Sequence, residues 1–334
     1  MKELKAGQVQ VYIAPTEAEM GTLTAKEVAR ELKEAASAGK DTVLWLMAAP
    51  SGFAFYKAFV ELSREDKVLQ RILQKTRYFQ FDDYPVGRKD PRFPITFRHL
   101  LETYFFNPLQ EVVGKLDGIH LMELRGTGKG SKPSESEDNA IADRYAQEVL
   151  AVLEDPNTYV VELKGIGMDG HWGFHGSETP LDTPPQILRV PMNSQNIHQQ
   201  KLDWPQYFKT DADVPQFAYS FTVSAFLKAD FIIDNVPQPT KEYSVLATYG
   251  TEDVLNEIPS SALKTHPNAM AALTEASARA LLEYRDRVAS GHRTLDASTL
   301  ERLRALWKDP TRPPVERENI ETMMRVLRIL GMIE

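Results

Sequence analysis

The 334-residue chain has no cysteine, so it holds neither a disulfide framework nor a thiol nucleophile, and a reducing, cytoplasmic setting is the expectation. No stretch comes near the ~18 consecutive apolar residues that a membrane-spanning helix needs, so no membrane partner is expected. The opening Met1-Lys2-Glu3-Leu4-Lys5 is charged and lacks the apolar core of a secretory signal. Basic residues are in deficit: 39 Lys and Arg face 47 Asp and Glu, and a net charge of −8 provides no broad cationic surface for nucleic acid. Internal repeats and low-complexity tracts are also missing. What remains is an ordinary globular composition, with enough chain to bury one large core, and a small-molecule enzyme fits it best.

Short β-rich runs alternate with helical patterns, which predicts an α/β fold: a doubly wound, mostly parallel, Rossmann-like sheet with helices on both faces. Strands are expected at 9–13, 42–47, 77–81, 118–122, 159–163, 186–190, 216–223 and 231–236, with helices at 24–37, 53–62, 95–106 and 138–154 and from Lys241 to Thr248. The Ala/Leu/Glu-rich run 268–287 reads as one long helix, and 126–137 as a polar loop. Residues 1–288 form the expected α/β domain. Residues 289–334 form a C-terminal helical extension of two amphipathic helices, 297–307 and 315–330, separated by a Pro-rich break.

The most informative stretch follows the strand at 159–163: Gly165-Ile166-Gly167-Met168-Asp169-Gly170-His171-Trp172-Gly173-Phe174-His175-Gly176-Ser177-Glu178. Its glycines allow a sharp bend with outward-facing N–H groups, and it sits just past a strand end, where open α/β sheets bind ligands. Two other readings compete. The run spells G-x-G-x-x-G, but no helix opens at the last glycine to aim amides at a pyrophosphate, so no nicotinamide cofactor is expected. His171 and His175 have metal-ligand spacing, but Trp172 stands where a helical H-E-x-x-H has Glu, so no metal is expected.

Other strand ends carry polar groups. Ser51-Gly52 opens a helix, where free amides suit an anion, or where Ser51 is simply a cap. Asp82-Asp83 closes the strand at 77–81; neighbouring strand residues point to opposite faces, so one is expected in the site and the other in a loop. Lys241 starts the helix after the strand at 231–236, a position suited to phosphate, or to ordinary surface.

Taken together these segments resemble the glucosamine-6-phosphate deaminase family, in the wider group that includes 6-phosphogluconolactonases. Phe79-Gln80-Phe81-Asp82-Asp83-Tyr84 is similar to the family's F-N-M-D-E-Y, and 165–174 to its G-[IV]-G-x-D-G-H-I-A-F. Tyr56-Lys57-Ala58 and Leu263-Lys264-Thr265-His266-Pro267 also fall in family order, so the likeness spans roughly residues 40 to 275. The resemblance implies isomerisation and deamination of a phosphorylated amino sugar without a cofactor. Asp82 then moves a proton between C2 and C1, His171 oriented by Asp169 helps open the ring, and Ser51, Gly52, Asp83, Gly167, His175 and Lys241 contact substrate or phosphate. Two departures stand out. The phosphate turn reads Ala48-Ala49-Pro50-Ser51-Gly52 instead of a Gly/Thr-rich run, and the family's Phe-Asn-Glu-Pro is replaced by Phe174-His175-Gly176-Ser177. Either Glu178 or His175 is expected to stand in for the missing Glu. A lactone hydrolase using His171 as base and a non-catalytic sugar-phosphate binder are the alternatives. The helical tail is expected to cover either the site or the surface of a homo-oligomer.

Overall fold

A computed structural model describes residues 1–126 and 135–334. Its strands are β1 (Lys2–Ala6), β2 (Val9–Ala14), β3 (Asp41–Leu46), β4 (Arg77–Gln80), β5 (Asp82–Asp83), β6 (Ile119–His120), β7 (Thr158–Lys164), β8 (Ile187–Pro191), β9 (Phe217–Phe221), β10 (Phe231–Val236) and β11 (Ala269–Thr274). Eight of them form one sheet in the order β1-β2-β11-β10-β7-β3-β4-β6, parallel throughout except for the β1–β2 pair at its edge. The mostly parallel α/β architecture read from the sequence is therefore present. The central strands are covered on both sides, which is why β3 shows an unbroken apolar run, Val43-Leu44-Trp45-Leu46, instead of alternation.

The first helix runs from Glu17 to Ser37, about two turns ahead of its predicted start, because Thr16 caps it by accepting the Glu19 N–H at 3.2 Å. Residues 268–287, expected to be a single helix, are instead β11 followed by the helix Arg279–Ala289. Ala-Met-Ala-Ala-Leu-Thr favours helix locally, but all six residues are buried between β2 and β10, and the ladder on both sides overrides that preference. The predicted strands at 186–190 and 216–223 do form, but in a separate antiparallel sheet β5-β9-β8 that also holds Asp82-Asp83. Most of the polar loop expected at 126–137 lies outside the described residues; the helix after it begins at Glu135.

The helices Ala297–Lys308 and Pro314–Ile329 are both present. They bury Leu303, Met323, Val326 and Leu327 and pack on the helices Glu242–Tyr249 and Ser194–Asp203. Polar bonds fix the second contact: Gln195 donates to the Val315 carbonyl at 2.8 Å, and His198 Nε2 lies 2.9 Å from Glu316 Oε1.

Candidate active site

Parallel strands end along one edge, and the ends of β3, β4, β7 and β10 meet there around a single cleft. Ser51 reaches it from the turn after β3, Asp82 from just past β4, Gly167 and His171 from the turn after β7, and Lys241 from beyond β10. Phe81, Phe97, Phe174 and Trp204 supply apolar walls.

The turn after β7 closes on itself: Gly167 N–H donates to the His171 carbonyl at 3.0 Å and Gly170 N–H to the Gly167 carbonyl at 3.1 Å. Gly170 sits at φ 83°, a left-handed conformation that side chains resist. The loop presses His171 Nδ1 against Asp169 Oδ1 at 2.6 Å, which also takes the His171 backbone N–H at 3.2 Å. With Nδ1–H given to the carboxylate, Nε2 is the atom left for chemistry. Burial pushes the Asp169 carboxyl up, but the adjacent imidazole and its hydrogen bonds more than reverse this, and the group stays below the usual carboxylate range.

A Cβ at Gly167 would come within 2.1 Å of His171 Cε1. Gly167→Ala is therefore expected to push the imidazole off Asp169 and cut turnover by about two orders of magnitude, the scale of a lost acid–base group. Steady-state assay beside a melting curve checks this; activity within twofold of wild type would refute the packing argument.

Asp82 and Asp83 divide as adjacent strand residues should. Asp82 lines the cleft, where burial drives its carboxyl well above the usual range, against the pull of Lys164 and with a further push from Asp83. Asp83 turns inward and accepts from Gln80 Nε2 at 3.0 Å and from the N–H groups of Tyr84 and Phe97, each at 2.8 Å, so it is a structural clamp outside the cleft. At the opposite end Lys241 Nζ lies 3.3 Å from Ser51 Oγ, which Gln238 Nε2 also approaches at 3.2 Å. Burial lowers the Lys241 ammonium to about 8, with Asp203, Asp234 and Asp169 resisting.

The structure does not bring three further predicted residues into the cleft. Gly52 is buried beneath the Tyr56 ring, where a Cβ would meet it at 2.9 Å; it serves packing. His175 is fully buried, with Nδ1 3.0 Å from Thr179 Oγ1 and Nε2 3.3 Å from the Ser220 carbonyl. Burial pushes it down to about 4, so it is a neutral internal brace. Glu178 is exposed and spends its carboxylate on the Gly176 N–H at 3.0 Å. Neither residue takes the place expected of the missing Glu.

What sequence reading missed is the helix Ser194–Asp203, which closes the cleft with Gln199, Gln200 and Asp203. Gln199 Oε1 faces the Met168 N–H at 3.4 Å, while Asn319 of the C-terminal helix donates to the Met168 carbonyl at 3.4 Å. Burial raises the Asp203 carboxyl, opposed by Lys241. The available signals were Asn193, an N-cap accepting the Asn196 N–H at 2.8 Å, and the i, i+3/i+4 spacing of 199, 200 and 203; a polar Gln-rich run masked both. Among the described residues no group of three or more His, Cys, Asp or Glu is placed to hold a metal ion, and no helix is long and apolar enough to cross a membrane.

No family model matches the chain. It is 24% identical over 228 residues to the glucosamine-6-phosphate deaminase of Geobacillus sp. (strain WCH70), covering 68% of this chain and 80% of that relative. Its fold is similar to that of a monomeric glucosamine-6-phosphate deaminase, with a TM-score of 0.63 at 18% identity over 80% of this chain and 98% of the other. It is also similar to the 6-phosphogluconolactonase of Trypanosoma brucei, with a TM-score of 0.61 at 12% identity over 80% of this chain and 97% of the other. Relatives and fold neighbours converge: the chain is similar in sequence to glucosamine-6-phosphate deaminases and shares its fold with one of them and with 6-phosphogluconolactonases.

Proposed function

We propose that the chain is an aldose–ketose isomerase and deaminase of a phosphorylated amino sugar, of the glucosamine-6-phosphate type. The observation that carries this reading is the cleft itself. It holds a buried carboxylate, Asp82, an imidazole fixed by Asp169, and an anion end made by Lys241 and Ser51.

The phosphate binds at Lys241 and Ser51, which leaves C1 and C2 for Asp82 and His171. His171 Nε2 takes the C1 hydroxyl proton and returns a proton to the ring oxygen; the C1–O5 bond breaks and C1 becomes an aldehyde. Asp82 then removes the C2 proton, the electron pair forms a C1=C2 double bond, and O1 is protonated. Returning the proton from Asp82 to C1 converts the C2 amine to an imine; water adds at C2 and ammonia leaves. The balance is amino-sugar phosphate plus water giving ketose phosphate plus ammonia. Burial suits Asp82 to this work, because a carboxylate short of solvent is a stronger base towards a C–H acid.

Mixing the protein with glucosamine-6-phosphate tests the reading directly: ammonia and fructose-6-phosphate are expected in equal amounts. The pH profile gives a second check. Lys241 is cationic below about 8 and loses its charge above it. A phosphate monoester stays dianionic there, so kcat/KM is expected to fall as pH rises past about 8, mainly through KM. A flat profile to pH 10 would remove Lys241 from the phosphate site.

One observation favours lactone hydrolysis as the second reading: His171 has Asp169 as its carboxylate partner, and Glu178 stays in solvent. An imidazole held by one acid is enough to deprotonate water for attack on a lactone carbonyl. Release of 6-phosphogluconate from its lactone, abolished by His171→Ala and without ammonia production from the amino sugar, would install that reading in place of the first. Binding of the amino-sugar phosphate with neither reaction would identify a non-catalytic binder.

A further inference from the structure

Strand β7 carries an acidic and a basic side chain into the centre of the protein. Glu162 and Lys164 are two residues apart on one strand, so their side chains share a face, and both are 0% exposed. Lys164 Nζ lies 3.6 Å from Glu162 Oε1, and among the described residues neither the ammonium nor either Glu162 oxygen has a hydrogen-bond partner. The ammonium rests on aromatic faces instead, 3.0 Å from the ring centre of Phe226, 3.9 Å from Phe81 and 4.7 Å from Trp172.

Such an arrangement is a poor way to gain stability. A buried ion pair repays its desolvation only with good geometry and satisfied hydrogen bonds, and an apolar pair of similar volume does as well or better. The position suggests another use. Phe81, one wall of the aromatic cradle, is the residue before Asp82, and Lys164 is the leading opposite charge acting on the Asp82 carboxyl. The carboxylates whose charge acts on Lys164 are Glu162, Asp82 and Asp234. Asp234 is already engaged, taking Tyr249 Oη–H at 2.7 Å and Trp172 Nε1–H at 3.0 Å. Asp82 in turn feels the charges of Lys164 and Asp83 and acts on the hydroxyls of Tyr56 and Tyr84.

We propose that Lys164 is a positioning residue, a counter-charge set beneath the cleft that keeps the Asp82 carboxylate ionised and ready to take a proton while never touching substrate. The role of Asp82 as proton carrier rests on the function proposed above; the electrostatic coupling does not. Without Lys164, burial and Asp83 act on Asp82 unopposed, and both favour the protonated acid, which cannot accept the C2 proton. With Lys164 in place that push is opposed, although the carboxyl remains more basic than one in water.

The test is the double variant Glu162→Gln/Lys164→Met, which replaces the pair by neutral groups of similar size and is expected to fold. The Asp82 carboxyl is followed by 13C NMR with labelled aspartate, its resonance assigned through Asp82→Asn, and the acid limb of kcat/KM for glucosamine-6-phosphate is measured alongside. Both midpoints are expected to rise by about one pH unit or more, the usual effect of removing an adjacent opposite charge, and below the limb kcat/KM falls about tenfold per unit. An unmoved carboxyl midpoint in the folded variant overturns the proposal and makes the pair structural. The single Lys164→Met variant, in which Glu162 takes up a proton, gives the same reading by a second route. If wild-type protein does not turn over the amino sugar, the functional reading fails alone, because the carboxyl titration still decides the role of Lys164.

Discussion

Replacing Asp82 by Asn is expected to lower kcat by about three orders of magnitude, within the ~10²–10⁴ range of a lost general base, while the protein stays folded. The amide matches the carboxylate in shape and keeps its place beside the imidazole, but it has no lone pair basic enough to take a C–H proton. Burial raises the folded-state pKa of Asp82, so at neutral pH its ionisation opposes folding. That penalty is present above the folded pKa and vanishes as pH falls below the unfolded value of about 4. The neutral amide removes it, which offsets the lost attraction to Lys164, so the melting temperature at pH 7 is not expected to drop. Paired measurements of kcat and Tm decide the matter: activity within tenfold of wild type would remove Asp82 from the chemistry.

Ending the chain at Ser290 is the second large perturbation. The lost segment buries Leu303, Val326, Leu327 and Met332, each 0% exposed. At about 1.5–3 kcal/mol per side chain these represent roughly 6–12 kcal/mol of gross burial, an upper figure partly offset by the ordering of the removed residues. Net stabilities are only about 5–15 kcal/mol, so a clear fall in Tm is expected. The sharper consequence is local. The helix Ser194–Asp203 loses the Val315 carbonyl and Glu316, and the glycine turn loses Asn319. Both carry residues of the cleft, so KM for a sugar phosphate is expected to rise about tenfold or more. The full-length pair Glu316→Gln/Asn319→Ala separates the two effects: KM is expected to rise with Tm nearly unchanged. A truncated protein with wild-type KM would show that the tail does not support the cleft.

The parts of this protein that could be read in advance are those whose cause is local. β3 announces itself as an unbroken apolar run because both its faces are covered. The bent turn at 165–171 is legible because glycine is the residue that tolerates its conformations. Where tertiary contacts decide, the reading fails. β11 looks helical in composition and becomes a strand because neighbours on either side need a partner. Asp82-Asp83 looks like a strand end and is a two-residue graft onto β9 of a second sheet, a pairing of residues more than a hundred positions apart. The cleft shows the same division. Strand-end groups such as Ser51, Asp82 and His171 could be named from position alone, whereas Gln199, Gln200 and Asp203 enter on a polar helix whose approach is set by the C-terminal helices. The substitutes expected for the missing Glu failed for a simple reason of reach: Glu178 closes its own loop, and His175 points into the core.

The strand order has a bearing on how the chain matures. Residues up to Lys164 can already assemble β3, β4, β6 and β7 as neighbours, but β2 waits for β11, which leaves the ribosome some 260 residues later. Until then the β2 edge of the N-terminal hairpin stays unpaired, and half of the sheet must wait with it. Distant pairings of this kind are slow to form. During synthesis, the opening segment is where a chaperone would have most to protect.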